Sequence, residues 1–305
     1  IGEGDVVAVP SFSFVTTASA SARNGARLRF IDIDEATLGM DPDHLATQLD
    51  DRVKAVVPVH YAGVPAAIDR LMSAAATVGA VVVEDNAHGL FAARAGRPLG
   101  TFGRMSTLSF HETKNFFCGE GGAVLGNLPD DVERAEILLN KGTDRRRFDR
   151  GQVDSYTWQA TGSSFGLSDV LAAYLLGQLE ARDEILARRE ALWRRYHEAL
   201  APRADELGVV LPALSPRDRP AWHMFHLLVA GEGRRDGVLA RLNAAGVGAT
   251  FHYQPLHRSP EGARLADGEA HCPVSDSVAL RLLRLPFHNR LGEDTADRVL
   301  STLTD

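Results

Sequence analysis

In this sequence a lysine, a carboxylate and a hydroxyl stand where apolar runs end. Lys114 lies in SFHETKNFFCGEGGAV (residues 109–124), between a short apolar run and a glycine cluster. It is one of only a few lysines, since arginine supplies most of the positive charge. A solvated surface amine needs no such frame, whereas an amine that forms a covalent bond does. Asp85 closes the apolar run VVVED, with His88 three residues on. A carboxylate there serves either as a helix cap or as the partner of a buried cation. Ser109 presents a hydroxyl five residues before Lys114, and Phe12 and Phe14 follow VVAV in PSFSFV. Those rings serve either to pack a core or to cover a flat ligand. Aromatic, acid, hydroxyl and amine, in that chain order, fit pyridoxal phosphate. That cofactor needs an amine for a Schiff base, an acid at its ring nitrogen and donors for its phosphate.

Such groups have to be held at strand ends. Val- and Ile-rich runs (VVAV, LRFIDID, KAVVPVHYAG, AVVVED, MSTLSF, GGAVLG) alternate with helical patterns such as AIDRLMSAAATVG. Continuous apolar strands between helices predict a mostly parallel sheet covered on both faces. In such sheets the working groups sit at the carboxyl ends of the strands. Asp41 and Pro42 predict a helix start. Residues 168–200 read as one long helical stretch that leaves the first domain. Beyond the loop at 213–220 come a strand over 222–230, a helix over 234–246, a strand over 248–256 and terminal helices. The predicted organisation is a large α/β cofactor-binding domain over residues 1–176, then a linking helix and a small α+β domain over 177–305.

The chain has 305 residues, 45% of them hydrophobic and 24% charged, which suits a full-sized globular core. A net charge of −7 argues against nucleic acid or a membrane surface as partner, since both call for a basic excess. Cys118 and Cys272 make no disulfide framework, so a reducing, cytoplasmic setting is expected, with Cys118 a small buried residue. No apolar run approaches a membrane span, and the histidines lack zinc-ligand spacing, so no metal is expected. The opening IGEGDVVAVPSF already reads as the entry to a strand, and native N-terminal residues are expected to be absent.

Across nearly its whole length the chain resembles the DegT/DnrJ/EryC1/StrS sugar aminotransferases. The likeness is carried by PSFSFV, HYAG, VVEDNAHG, SFHETKNFFCGEGGAV and GSSFGLSDVLAAYLLGQL. It implies the aspartate-aminotransferase-like fold (fold type I), pyridoxal 5′-phosphate, and a homodimer whose subunits share their active sites. It also implies roles by position. Lys114 is the Schiff-base lysine and proton carrier, and Asp85 holds the pyridine nitrogen. His88 lies near the ring hydroxyl, where relatives often have Gln. Ser109 binds the phosphate and Phe14 stacks on the ring. Ser164 stands where many relatives carry an Asn that reaches the neighbouring subunit's phosphate. The family's small-residue phosphate loop, expected upstream of GDVV, is not in this sequence.

Within the family, SFHETKN and KGTDRRRFDRGQVDSYTW most resemble the branch that makes dTDP-4-amino-4,6-dideoxy-D-galactose, a reaction of enterobacterial common antigen synthesis. The resemblance then implies L-glutamate as amino donor and dTDP-4-dehydro-6-deoxy-D-glucose as acceptor. Arginine suits a sugar-nucleotide diphosphate, so Arg145 in DRRRFDRG is a candidate contact, with a solvated loop or subunit contact as the alternative. His252, Tyr253 and His257 in FHYQPLH are candidates for sugar hydroxyls, against simple strand-end packing. Three other readings stand beside this one: another keto-sugar nucleotide, a sugar dehydratase, and an inactive paralogue. Dehydratases of this family replace the lysine with histidine, which Lys114 argues against.

Overall fold

The computed structural model describes residues 1–304. Its main sheet has the strand order β2-β1-β3-β4-β7-β8. These are β1 (Val6–Pro10), β2 (Arg27–Ile31), β3 (Val53–Val56), β4 (Val81–Asp85), β7 (Met105–Ser109) and β8 (Gly122–Gly126). The short β5 (Ala93–Arg94) and β6 (Arg97–Pro98) lie between β4 and β7 in the chain. All neighbours in the main sheet run parallel except β8, which returns antiparallel to β7.

Helices α1 (Val15–Ala22), α2 (Pro42–Gln48) and α3 (Ile68–Ala76) form the first crossovers. Asp41 caps α2 as its sequence predicts, accepting the Asp43 N–H at 2.8 Å while Pro42 fills the first turn. The fully buried β1 shows why the sheet needs cover on both sides. Val6 and Ala8 pack with Ile68 and Leu71, and Val7 and Val9 pack with Ala18 and Phe30. Because β2 and β3 flank β1 on opposite sides, the chain leaves β1 first one way and then the other. The crevice at the carboxyl ends of β1 and β3 is therefore the topological switch point.

Helices α4 (Pro129–Leu139), α5 (Arg145–Asp149) and α6 (Asp169–Glu180) follow β8. Residues 168–200 are not one helix. The backbone opens at Ala181 (φ −88°, ψ 18°), and α7 (Arg182–Leu200) continues beyond it. Helix α8 (Ala204–Leu207) leads to β9 (Val209–Val210), then β10 (Asp218–Arg219), β11 (His226–Val229), α9 (Arg234–Ala244), α10 (Pro260–Leu265), α11 (Pro273–Arg281), β12 (Leu282–Arg284) and α12 (Glu293–Thr304). Strands β12, β11 and β9 form an antiparallel sheet. Trp193, Tyr196, Phe225, Leu242 and Val299 make its core. Full burial of a side chain such as Phe225 stabilises by about 1.5–3 kcal/mol.

Two further expectations change. The segment 213–220 is not all loop, because β10 pairs with β5. Residues 248–256 form no strand, and only Thr250 bridges to Arg284. The rings of His252 and Tyr253 stack at 4.0 Å and 10°. Consecutive residues of a pleated strand point to opposite faces, so this stack and a strand exclude each other. A cluster containing Phe12, Tyr61, Met224 and Leu282 joins the main sheet to the smaller one. It sets the end of β12 against the strand ends of β1 and β3.

Candidate active site

Asp85 is the last residue of β4. One of its oxygens accepts the Thr17 hydroxyl at 2.7 Å and the other the Ala87 N–H at 3.2 Å. Thr17 is in turn tied to Ser13 at 2.8 Å. The adjacent Glu84 points to the other face and is fully buried. It accepts the N–H groups of Gly100, Phe102 and Gly103 at 2.8, 2.7 and 2.8 Å, and it meets His60 at 3.0 Å. Burial alone would raise its pKa, but His60 and the N–H groups outweigh that and lower it. The two carboxylates thus divide: Glu84 fixes a loop, and Asp85 lies within electrostatic reach of Lys114 and Tyr253, raising the pKa of both.

Lys114 sits in the loop between β7 and β8. Burial pushes its amine down to about 8, with Asp85 opposing the shift and Arg284 adding to it. The loop is pinned by the buried Asn115. Its amide donates to the Ala221 carbonyl at 2.6 Å, and its Oδ1 lies 2.8 Å from His223 Nδ1. An oxygen can only accept, so His223 Nδ1 carries the proton. His223 stacks on His88 at 4.2 Å and 19°. Burial lowers the pKa of both well below the ordinary imidazole value.

Tyr61 forms the floor of the crevice, with its ring 5.9 Å from His88, 5.6 Å from His226 and 6.0 Å from His252. It stands in a tight turn that ends at Gly63 (φ 78°), where a Cβ would lie 2.7 Å from the His88 carbonyl. Only glycine lets these two loops meet so closely. His252 Nδ1 lies 3.0 Å from the Tyr61 hydroxyl, and its Nε2 accepts from Arg284. Since arginine can only donate, the proton of neutral His252 is on Nδ1 and points at Tyr61. Burial, with Arg284 and Lys114 nearby, pushes His252 down to about 2, and burial pushes Tyr253 up to about 12.

The structure therefore gathers Lys114, Asp85, His88, His252 and Tyr253 at one crevice. Ser109 ends β7 beside β4, and among the described residues its side chain makes one hydrogen bond, accepting the His111 N–H at a long 3.4 Å, which leaves its own proton free to donate. Phe14 is 56% exposed, with its ring 6.2 Å from Tyr253. His257 is engaged elsewhere: its Nδ1 meets Ser11 at 2.6 Å, and its Nε2 lies 3.5 Å from Asp276. Arg145 is exposed, paired to Asp149 at 3.6 Å and set over the Tyr156 ring at 5.3 Å. Ser164 is exposed and bridges to Asn140. Among the described residues, no contact within this chain joins Arg145 or Ser164 to Lys114. Arg284, Tyr61, His223 and His226 were not among the sequence candidates. No local signal marks Arg284, since the apolar stretch RLLRLPF runs on past it, unlike the run that Asp85 closes.

This donor set suits pyridoxal phosphate. A half-buried amine of lowered pKa lies within electrostatic reach of Asp85, whose carboxylate Thr17 orients. His88 Nδ1 is buried without a partner among the described residues, the mark of a polar atom that meets a ligand. No group of three or more His, Cys, Asp or Glu side chains among the described residues is arranged to hold a metal ion.

The profile of the DegT/DnrJ/EryC1/StrS aminotransferase family matches residues 1–304. Solved structures agree. The chain is 31% identical to the aminotransferase TlmJ from Streptoalloteichus hindustanus, over 99% of this chain and 79% of that one, with a TM-score of 0.89. It is 32% identical to DesV of S. venezuelae, over 99% and 78%, with a TM-score of 0.88. It is 30% identical to the sugar aminotransferase CalS13 from Micromonospora echinospora, over 99% and 80%, with a TM-score of 0.87.

Proposed function

The chain belongs to the DegT/DnrJ/EryC1/StrS aminotransferase family and is a pyridoxal-phosphate-dependent sugar aminotransferase; from that premise we propose that it moves the amino group of L-glutamate to the 4-keto carbon of dTDP-4-dehydro-6-deoxy-D-glucose, giving dTDP-4-amino-4,6-dideoxy-D-galactose. The observation that carries the amine-transfer chemistry is Lys114, a half-buried amine brought down to about 8 against the opposing pull of Asp85. The sugar assignment is supported by the likeness of SFHETKN and KGTDRRRFDRGQVDSYTW to the branch that makes this product.

When bound, the cofactor supplies an aldehyde that captures amines and a ring that draws electrons from the amine-bearing carbon. Lys114 Nζ, in its neutral form, takes the proton from the donor's α-carbon and later returns one to the sugar carbon. Asp85 holds the proton that faces it, and Thr17 fixes the direction of that carboxylate. The imidazoles of His88, His223 and His252 stay neutral, so they orient ligands without adding charge beside Lys114.

The test is product analysis after incubation with glutamate and dTDP-4-dehydro-6-deoxy-D-glucose. An axial amine at carbon 4 is expected. An equatorial amine gives the gluco isomer and overturns the galacto assignment, and an amine at another carbon overturns the regiochemistry.

We also infer a homodimer. Trp158, Phe165, Val170 and Tyr174 are 77%, 68%, 79% and 53% exposed on one stretch of chain, more aromatic and aliphatic surface than a lone subunit normally leaves wet. Ser164 lies in the same stretch. Light scattering coupled to size exclusion is expected to give twice the chain mass, and an active species of single mass contradicts the inference.

A further inference from the structure

Two arginines are buried among the described residues, and their surroundings differ. Arg235 pairs with Asp236. Arg189, on α7, has no carboxylate within ion-pair distance among the described residues, and burial pushes it down to about 9. Its N–H groups go to three oxygens instead: the carbonyls of Trp222 and His223 at 2.7 and 2.5 Å, and Asn289 Oδ1 at 2.5 Å. An unpaired guanidinium is costly to bury. What this one holds is the backbone beside Lys114. Asn115, the next residue, is fixed at three points. Its side-chain amide donates to the Ala221 carbonyl at 2.6 Å, its Oδ1 accepts from His223 Nδ1 at 2.8 Å, and its own carbonyl accepts from Asn289 Nδ2 at 3.1 Å. All three points lead back to Arg189. Asn289 must turn its oxygen to the guanidinium, which only donates, and its nitrogen to the carbonyl, which only accepts. Trp222 stands between Ala221 and His223 with φ 54°, a left-handed backbone that a bulky side chain resists, and Arg189 Nε holds its carbonyl. Trp193, one turn on along α7, packs against the Trp222 ring at 5.3 Å. A closed ring of hydrogen bonds thus runs from α7 to the neighbour of the reacting amine.

We propose that Arg189 and Asn289 are positioning residues for amine transfer, locking Asn115 so that the Lys114 side chain starts from a fixed base. The proposal rests on the role given to Lys114 above, and not on which sugar is the acceptor. Neither residue has to touch a ligand. A lysine stem is flexible, and Nζ must reach first the donor's α-carbon and then the sugar carbon. Its backbone anchor sets how far that reach extends. A reacting group displaced by about 1 Å can cost about 100-fold in rate.

The test compares Asn289→Ala and Arg189→Lys with the unaltered protein. Arg189→Lys keeps the charge, but an ammonium cannot span the three oxygens that a planar fork reaches. In the cofactor-free proteins, amide hydrogen exchange is expected to quicken at least about tenfold over residues 110–118 and to hold within about twofold in β1 and β4. In the pyridoxal-phosphate-loaded proteins, the single-turnover rate with L-glutamate, taken per bound cofactor, is expected to fall about 30-fold, with the apparent Kd for L-glutamate held within about threefold. The double variant is expected to lose little more than the larger single loss, since both changes act on Asn115. An unchanged rate per bound cofactor, whatever the exchange shows, makes the pair an ordinary part of the core and overturns the proposal. A weakened Kd at unchanged rate, or losses that multiply in the double variant, overturns it as well. Should Arg189→Lys fail to fold, Asn289→Ala decides alone, because Asn289 lies in a half-buried turn. A protein without the absorbance of the lysine-bound cofactor fails the reading of Lys114 instead, and the exchange measurement, which needs no cofactor, still reports on the clamp.

Discussion

Lys114→Ala is expected to lose amine transfer by at least about 10⁴-fold, the upper range for a positioned acid/base group, and to lose the visible absorbance of the lysine-bound cofactor. The fold should survive, because the loop does not depend on the amine. Asn115 holds it through Ala221 and His223, and Asn289 donates to the Asn115 carbonyl at 3.1 Å. Lys114 is half-buried, and among the described residues removing Nζ breaks no hydrogen bond or ion pair. The melting temperature of the cofactor-free protein should therefore hold or rise. The pH dependence has a fixed sign. Lys114 acts as a base only without its proton, and burial brings its pKa to about 8. The donor half-reaction should rise as pH increases towards 8 and level off above it. Full activity in Lys114→Ala, or a rate that falls through that range, would remove Lys114 from the proton transfer.

The parts of this site that a reader of the sequence can find are those where an apolar run breaks off in a polar residue. Asp85 and Ser109 show this pattern, and the parallel sheet sets β4 and β7 side by side, with Asp85 opposite Thr107, so both come to the same end of the sheet. The main sheet was legible for the same reason: Val- and Ile-rich runs buried on both faces leave few alternatives to a parallel core. Tyr61, His223 and Arg284 come from three distant segments, and what brings them together is the packing of β12 and the 220–223 loop onto the main sheet. Nothing local in the chain encodes that packing. The residues 251–257 show the limit from the other side. Their alternation looked like a strand, yet Pro255 can give no ladder hydrogen bond and the stack of His252 on Tyr253 needs an unpleated backbone. His257, five residues past His252, consequently turns to Ser11 and Asp276.

Asp85→Asn separates two effects of a single carboxylate. The amide has nearly the same shape, and its oxygen can still accept the Thr17 hydroxyl that now lies at 2.7 Å; only the longer 3.2 Å bond from the Ala87 N–H is lost, so cofactor uptake should change little and melting should fall only slightly. The charge is gone, and with it the means of holding a proton at the atom Asp85 faces. A loss of about 10²–10³-fold in turnover is expected, as for removal of one preorganised electrostatic contact. The second effect falls on Lys114. Asp85 is the group that raises the amine's pKa against burial and against Arg284. Without it the amine titrates lower, so the inflection of the rate profile should move to more acid pH while the plateau drops. A purely structural carboxylate would lower the plateau through poor folding and leave the inflection in place. Arg284→Gln should move the same inflection the other way, since Arg284 depresses the amine. Opposite shifts from the two substitutions, measured on one pH axis, would establish that Asp85, Lys114 and Arg284 form one electrostatic unit; coincident profiles would show that they do not.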